Sequence, residues 1–103
     1  MIRHIVLWKF LEFTKEGSRN QNLITAQSML LKMGEKIDGI QDIKVGINLV
    51  DGTNKSDLVL VILFDDRSAL EKYQDHPAHL EVKEFLSNVR YERRIVDYLV
   101  NSE

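Results

Sequence analysis

The sequence predicts an α+β domain in which helices cover one face of a four-stranded antiparallel sheet. Three observations predict it. Two apolar runs, 2–10 and 57–64, are rich in β-branched and aromatic residues and too short for core helices. Stretches of helical periodicity separate the strand-like runs, giving the order β-α-β-β-α-β. The chain has 103 residues and is 44% hydrophobic, the size and composition of one domain spanning 1–103.

The first strand covers 2–10. A polar segment over 12–17 ends in glycine and reads as a loop. Ser18, with Gln21 three residues later, has the pattern of a capping box. Leu23, Ala26, Leu30, Met33 and Ile37 then recur at helical spacing, predicting a helix over 18–36 that closes near Asp38-Gly39. A second strand is expected over 43–50, with Asp51-Gly52 opening a turn through 55. The third strand, 57–64, carries no polar side chain from Leu58 to Phe64. Asp66 caps a helix over 67–73, and His76-Pro77 restarts the chain as another helix with proline in its first turn. Ala78, Val82, Phe85, Leu86 and Val89 form the apolar stripe of that helix. The last strand covers 91–100. The order is the ferredoxin-like plan, its second helical part broken in two. There is no internal repeat, low-complexity segment or linker.

The strands predict a partner. Helices bury one face of such a sheet, yet Ile5 and Leu7 alternate with His4, Val6 and Trp8, and the third strand is apolar on both faces. An antiparallel sheet with a wet face should carry polar residues there. If His4, Val6, Trp8, Leu60, Ile62 and Phe64 face the helices, then Ile5, Leu7, Val59, Val61 and Leu63 face away. A second copy of the chain is the simplest cover, making a homodimer through the sheet faces.

Composition excludes several function classes. A net charge of −2, with Lys and Arg dispersed, gives no footprint for nucleic acid or an anionic membrane. Cysteine is absent, which removes disulfides, thiolate metal sites and cysteine nucleophiles. Arg3 precedes an apolar run, but Lys9 interrupts it and no small-residue cleavage site follows. No apolar stretch has the length of a membrane span. The expectation is a soluble cytoplasmic protein.

Tyr73-x-x-His76-Pro77-x-His79 holds the only proline and two of the three histidines. Together with the opening run 2–10 and with Asp97-Tyr98 in the last strand, it resembles the stress-responsive A/B barrel (Dabb) family of dimeric α+β barrels, over essentially the whole chain. The resemblance implies a pocket between each sheet and its own helices. In one plant member, a polyketide cyclase that works without a cofactor, the histidine matching His79 is the general base. The tyrosine matching Tyr73 polarises the substrate there, and the histidines matching His4 and His76 lie at or near the pocket. The first helix of this chain has no aromatic residue between Ser18 and Ile37, where the cyclase has aromatics. A long polyketide would therefore lose much of its contact surface.

His79 shares a stripe with Val82 and Leu86 and should point inward, where an imidazole can move protons near neutral pH. The rival reading is a buried histidine bonded to a backbone carbonyl or to Tyr73. Tyr73 follows Leu70 at helical spacing; it either donates to a carbonyl oxygen or packs its ring on the core with its hydroxyl at the rim. His76 precedes the proline and reads first as a fixer of the helix break. His4, Val6, Trp8, Leu60, Ile62, His76 and Phe85 are the expected pocket wall. Arg93 shares parity with Ile95 and would favour an anionic ligand if that face is the pocket face, or else is a solvated strand residue. His76 and His79 are three apart, but the pattern is looser than a zinc site requires. With three histidines and no phosphate-cradling glycine loop, no metal, haem or flavin is expected.

The function expected is binding of a small organic carbonyl compound, with cofactor-free cyclisation, isomerisation or lyase chemistry if the protein is catalytic. His79 would be the base and Tyr73 the donor. Two alternatives stand beside it: a non-catalytic stress-responsive or interaction protein, and a cofactor-free monooxygenase on the same fold.

Overall fold

A computed structural model describes residues 1–100. Its elements are β1 (Ile2–Phe10), β2 (Phe13–Thr14), β3 (Gly17–Ser18), α1 (Arg19–Lys36), β4 (Ile40–Ile47), β5 (Leu58–Phe64), α2 (Arg67–Asp75), α3 (Pro77–Val89) and β6 (Arg90–Leu99). The main sheet has the antiparallel order β4-β5-β1-β6, the ferredoxin-like arrangement. No helix of the described chain is long and apolar enough to cross a membrane.

Local chemistry sets most boundaries as expected. Ser18 Oγ accepts the Gln21 N–H at 3.3 Å, and Gln21 Oε1 accepts the Ser18 N–H at 2.9 Å, completing the capping box of α1. Asp66 Oδ1 accepts the Ala69 N–H at 2.9 Å and caps α2. Pro77 has no N–H to donate and holds His76 extended, so α2 ends and α3 begins there.

Two regions differ from expectation. The 12–17 segment is not a plain loop: β2 and β3 pair as a small hairpin. Asn22 ties it to α1, donating through Nδ2 to Thr14 Oγ1 at 3.1 Å and to the Gly17 carbonyl at 3.2 Å. The strand expected over 43–50 occupies Ile40–Ile47 instead. Gly39, at φ +89°, turns the chain directly from α1 into the sheet. A bulge at Gln41 then absorbs one residue, because Ile40 pairs with Phe64 whereas Asp42 pairs with Leu63. The bulge brings Ile40 into phase with Ile43, Val45 and Ile47, and all four pack on the core.

The face assignment of β1 and β5 follows the alternation. His4, Val6, Trp8, Leu60, Ile62 and Phe64 are buried beneath the helices. Ile5, Val59, Val61 and Leu63 are half-buried, and Leu7 is 37% exposed. Val96 and Tyr98, paired with Ile5 and Arg3, extend this open face across β6. The molecule is a slab of 41 × 29 × 17 Å, one sheet and one helical layer thick.

Gly39 leads to a stability prediction. A Cβ there would sit 2.7 Å from Ala69 Cβ, on a backbone that L-residues rarely adopt. Gly39→Ala is expected to lower unfolding free energy by about 1–3 kcal/mol. Urea titration of the two proteins measures it, and an unchanged midpoint would show that the junction adapts.

Candidate active site

A cavity of about 50 Å³ lies between α3 and the β1–β6 side of the sheet. α3 supplies His79, Val82, Lys83, Leu86 and Ser87, the spacing of one helical stripe. β1 supplies His4, Val6 and Trp8; α1 supplies Leu30; α2 supplies Tyr73. The wall is thus apolar, with a few convergent polar groups.

Tyr73 is one of the aromatic residues of this wall. The residue is 2% exposed and its ring lies 4.3 Å from that of His79, 5.6 Å from His4 and 5.0 Å from Phe64. Among the described residues its hydroxyl has no hydrogen-bond partner, and it is not sealed away from the cavity. Burial pushes the phenol pKa well above its ordinary value; the Arg93 charge opposes this and Asp97 adds to it. The phenol therefore stays protonated at neutral pH and is a donor.

His79 is half-buried. Its Nδ1 lies 3.2 Å from the Gln74 carbonyl, which can only accept, so Nδ1 carries the proton and Nε2 has a free lone pair. Burial lowers the imidazole pKa below its usual value; the bond to Gln74 works against this, and the charges of Lys83, His4 and Arg93 add to the lowering. The ring is neutral and basic at pH 7.

His4 is buried to 4% exposure, with Nδ1 2.5 Å from Asp97 Oδ1 across the β1–β6 pair. The carboxylate accepts from Nδ1 and fixes the ring. His76 is placed otherwise: its Nδ1 accepts the Ala78 N–H at 3.0 Å and caps α3. It does not line the cavity, because that bond holds the imidazole at the helix end. Ile62 and Phe85 are also outside. Ile62 packs deeper in the core, and Phe85 sits one step round α3 from the lining stripe. Among the described residues no three His, Asp or Glu side chains gather as a metal would require.

Lys83, Ser87 and Arg90 join the wall without having been expected there, and Arg93 is on the pocket face. Helical spacing from His79 was the available signal for Lys83 and Ser87. A second bulge explains Arg90. Lys9 pairs with Glu92 but Phe10 pairs with Arg90, so Tyr91 is the extra residue. Arg90 and Arg93, three apart, would otherwise lie on opposite faces of the strand.

Residues 2–100 match the model of the stress responsive A/B barrel domain. Comparison with curated protein sequences finds no match. Among solved structures, a dimeric ferredoxin-like protein of unknown function from Thermobifida fusca superposes with a TM-score of 0.82 at 21% identity, covering 96% of this chain and 90% of that one. A Dabb-family protein with a ferredoxin-like fold from Mesorhizobium loti has a TM-score of 0.76 at 20% identity, covering 98% and 97%. A hydroxynitrile lyase from Passiflora edulis has a TM-score of 0.77 at 17% identity, covering 99% and 94%. At these identities the structures establish a common fold.

Proposed function

The chain belongs to the stress responsive A/B barrel domain family, and from that premise we propose that it is a homodimer performing cofactor-free proton transfer on a small carbonyl compound. The observation that carries this reading is the pairing of His79 and Tyr73 in one cavity, with opposite and complementary protonation. His79 Nε2 removes a proton from the carbon beside the carbonyl. The electron pair of that C–H bond moves onto the carbonyl oxygen, and the Tyr73 hydroxyl donates a hydrogen bond to the enolate so formed. The imidazolium then returns its proton, to carbon in an isomerisation or to a departing group in a lyase reaction. In a cyclisation the enolate carbon attacks a second carbonyl, whose π pair moves to its own oxygen, and that oxygen takes the proton back from the imidazolium. His4, held by Asp97, and Val6, Trp8 and Leu60 bound the space in which this happens.

Cavity size sets the substrate class. About 50 Å³ is far below the roughly 300–1,000 Å³ of sites for drug-sized ligands. A compound of few atoms fits, and a long polyketide does not. The Passiflora edulis hydroxynitrile lyase shows that this fold supports lyase chemistry, which favours the reading. The dimeric Thermobifida fusca protein supports the homodimer, formed here through the open sheet faces.

The test is exchange of the methyl protons of acetone and of pyruvate in deuterated water, followed by proton NMR. Exchange above the buffer rate is expected for the wild type. Tyr73→Phe, which keeps the packed ring, should lower it by at least about tenfold. Wild-type rates equal to buffer for both compounds would leave a non-catalytic protein with a packed His79–Tyr73 pair.

A further inference from the structure

Lys83, Arg90 and Arg93 converge on one cavity, and among the described residues none of them has an ion-pair partner. The acids of β6 are committed elsewhere. Glu92 pairs with Lys9 and lies 3.8 Å from Arg94, and Asp97 holds His4. Arg93 is partly desolvated and feels the like charge of Arg90, both of which lower its pKa while leaving it a cation at neutral pH. Cations held together cost energy that an anion between them offsets. A helix C-terminus accounts for one cation at Arg90, which follows α3, but not for a second at Arg93. The extra residue Tyr91 is what brings both guanidiniums to the cavity side, and bulges beside functional sites re-aim side chains in this way. Tyr73 lines the same cavity; the residue is 2% exposed, and among the described residues its hydroxyl has no hydrogen-bond partner.

We propose that Arg90, Arg93 and Lys83 form a carboxylate-binding rim, so that the substrate is a small oxo acid whose carbonyl reaches Tyr73 while its carboxylate stays at the mouth. The proposal rests on the proton-transfer reading above and narrows it. A carboxylate suits the site better than a phosphate for two reasons. Guanidinium forks match its planar pair of oxygens. The rim lies at the carbonyl end of α3, whose partial negative charge disfavours a dianion, and it has no glycine-rich loop or helix N-terminus to cradle phosphate.

Binding decides the question without reference to turnover. Pyruvate, its neutral methyl ester and inorganic phosphate would each be titrated into the protein and followed by amide NMR shifts around β6 and α3. Pyruvate should bind at least about tenfold more tightly than methyl pyruvate, and more weakly as salt is raised. Arg90→Ala/Arg93→Ala should remove that preference and leave methyl pyruvate binding unchanged. Lys83→Ala, at an exposed position of α3, is a second variant should the first fail to fold, and should reduce the preference. Equal binding of acid and ester would overturn the proposal, as would an unaffected preference in the variants. Saturation by phosphate with none by pyruvate would overturn it too. A failure here leaves acetone exchange free to succeed, and a failure of exchange leaves the pyruvate preference measurable.

Discussion

Val61→Lys is expected to convert the proposed sheet-face dimer into monomer, unfolded chain or aggregate. Val61 lies on β5, opposite Ile5 of β1, on the face that the helices do not cover. Around it lie Leu7, Val59 and Leu63, with Val96 and Tyr98 on β6. A 12.0 kDa monomer ordinarily exposes about 6,000 Å², and this chain exposes 6724 Å². The excess approaches the roughly 800 Å² that each partner contributes to a stable interface. A lysine ammonium there adds a second cation beside Lys44, which pairs with Val61 across β4 and β5 and already takes Asp42 at 3.7 Å, and burying it in a sheet-to-sheet contact costs several kcal/mol. Across a two-fold axis the substitution enters twice. Sedimentation velocity at micromolar concentration reads the outcome. A wild-type protein that is folded and monomeric there, or a Val61→Lys dimer, would refute the sheet-face assembly.

His79→Ala is expected to lower turnover by roughly 10²–10⁴-fold, the range for loss of a general base. The wild-type pH profile should carry the same signature. Burial depresses the His79 pKa, so the neutral, proton-accepting ring survives to lower pH than an ordinary histidine would. The rate should rise as pH increases through that depressed pKa and then level off. Its acid limb should fall below the usual value of about 6.5. Lys83 on α3, Arg93 on β6 and His4 on β1 all disfavour a charge on His79, so neutralising Lys83 should move the limb upward. An alanine variant that turns over as the wild type does would exclude His79 from the reaction. A profile with no acid limb would point to another base.

β1 and β5 were readable because alternating or wholly apolar runs leave few arrangements for a strand. The caps at Ser18, Asp66 and His76-Pro77 were readable because each rests on contacts a few residues apart. The bulges were not, since an extra residue in a strand answers to its neighbours in space. One at Gln41 displaced β4 from its expected span, and the other at Tyr91 concealed Arg90. For the candidate site, helical spacing brought His79 toward the core, but the resemblance alone singled it out with Tyr73. That resemblance also suggested His76, whose nitrogen is occupied as a cap. Phe85 and Ile62 are apolar on the correct side of their elements, yet burial differs from contact with a particular cavity. Only the packing of α3 against the sheet makes that distinction.

The bulge at Tyr91 separates two things that a strand normally couples, its length and the identity of the side chains it presents. β6 is an edge strand, bonded to β1 on one side only. Deleting Tyr91 would restore simple alternation, turn one guanidinium from the cavity to the opposite face, and leave the paired register from Ile2 to Lys9 intact. Inserting it has the reverse effect. The charge at the mouth can therefore be rewritten by a single-codon change in length, with no replacement in the core. Evolution on this scaffold can thus change what enters the cavity by counting residues at its rim, while the histidine and tyrosine inside stay where they are.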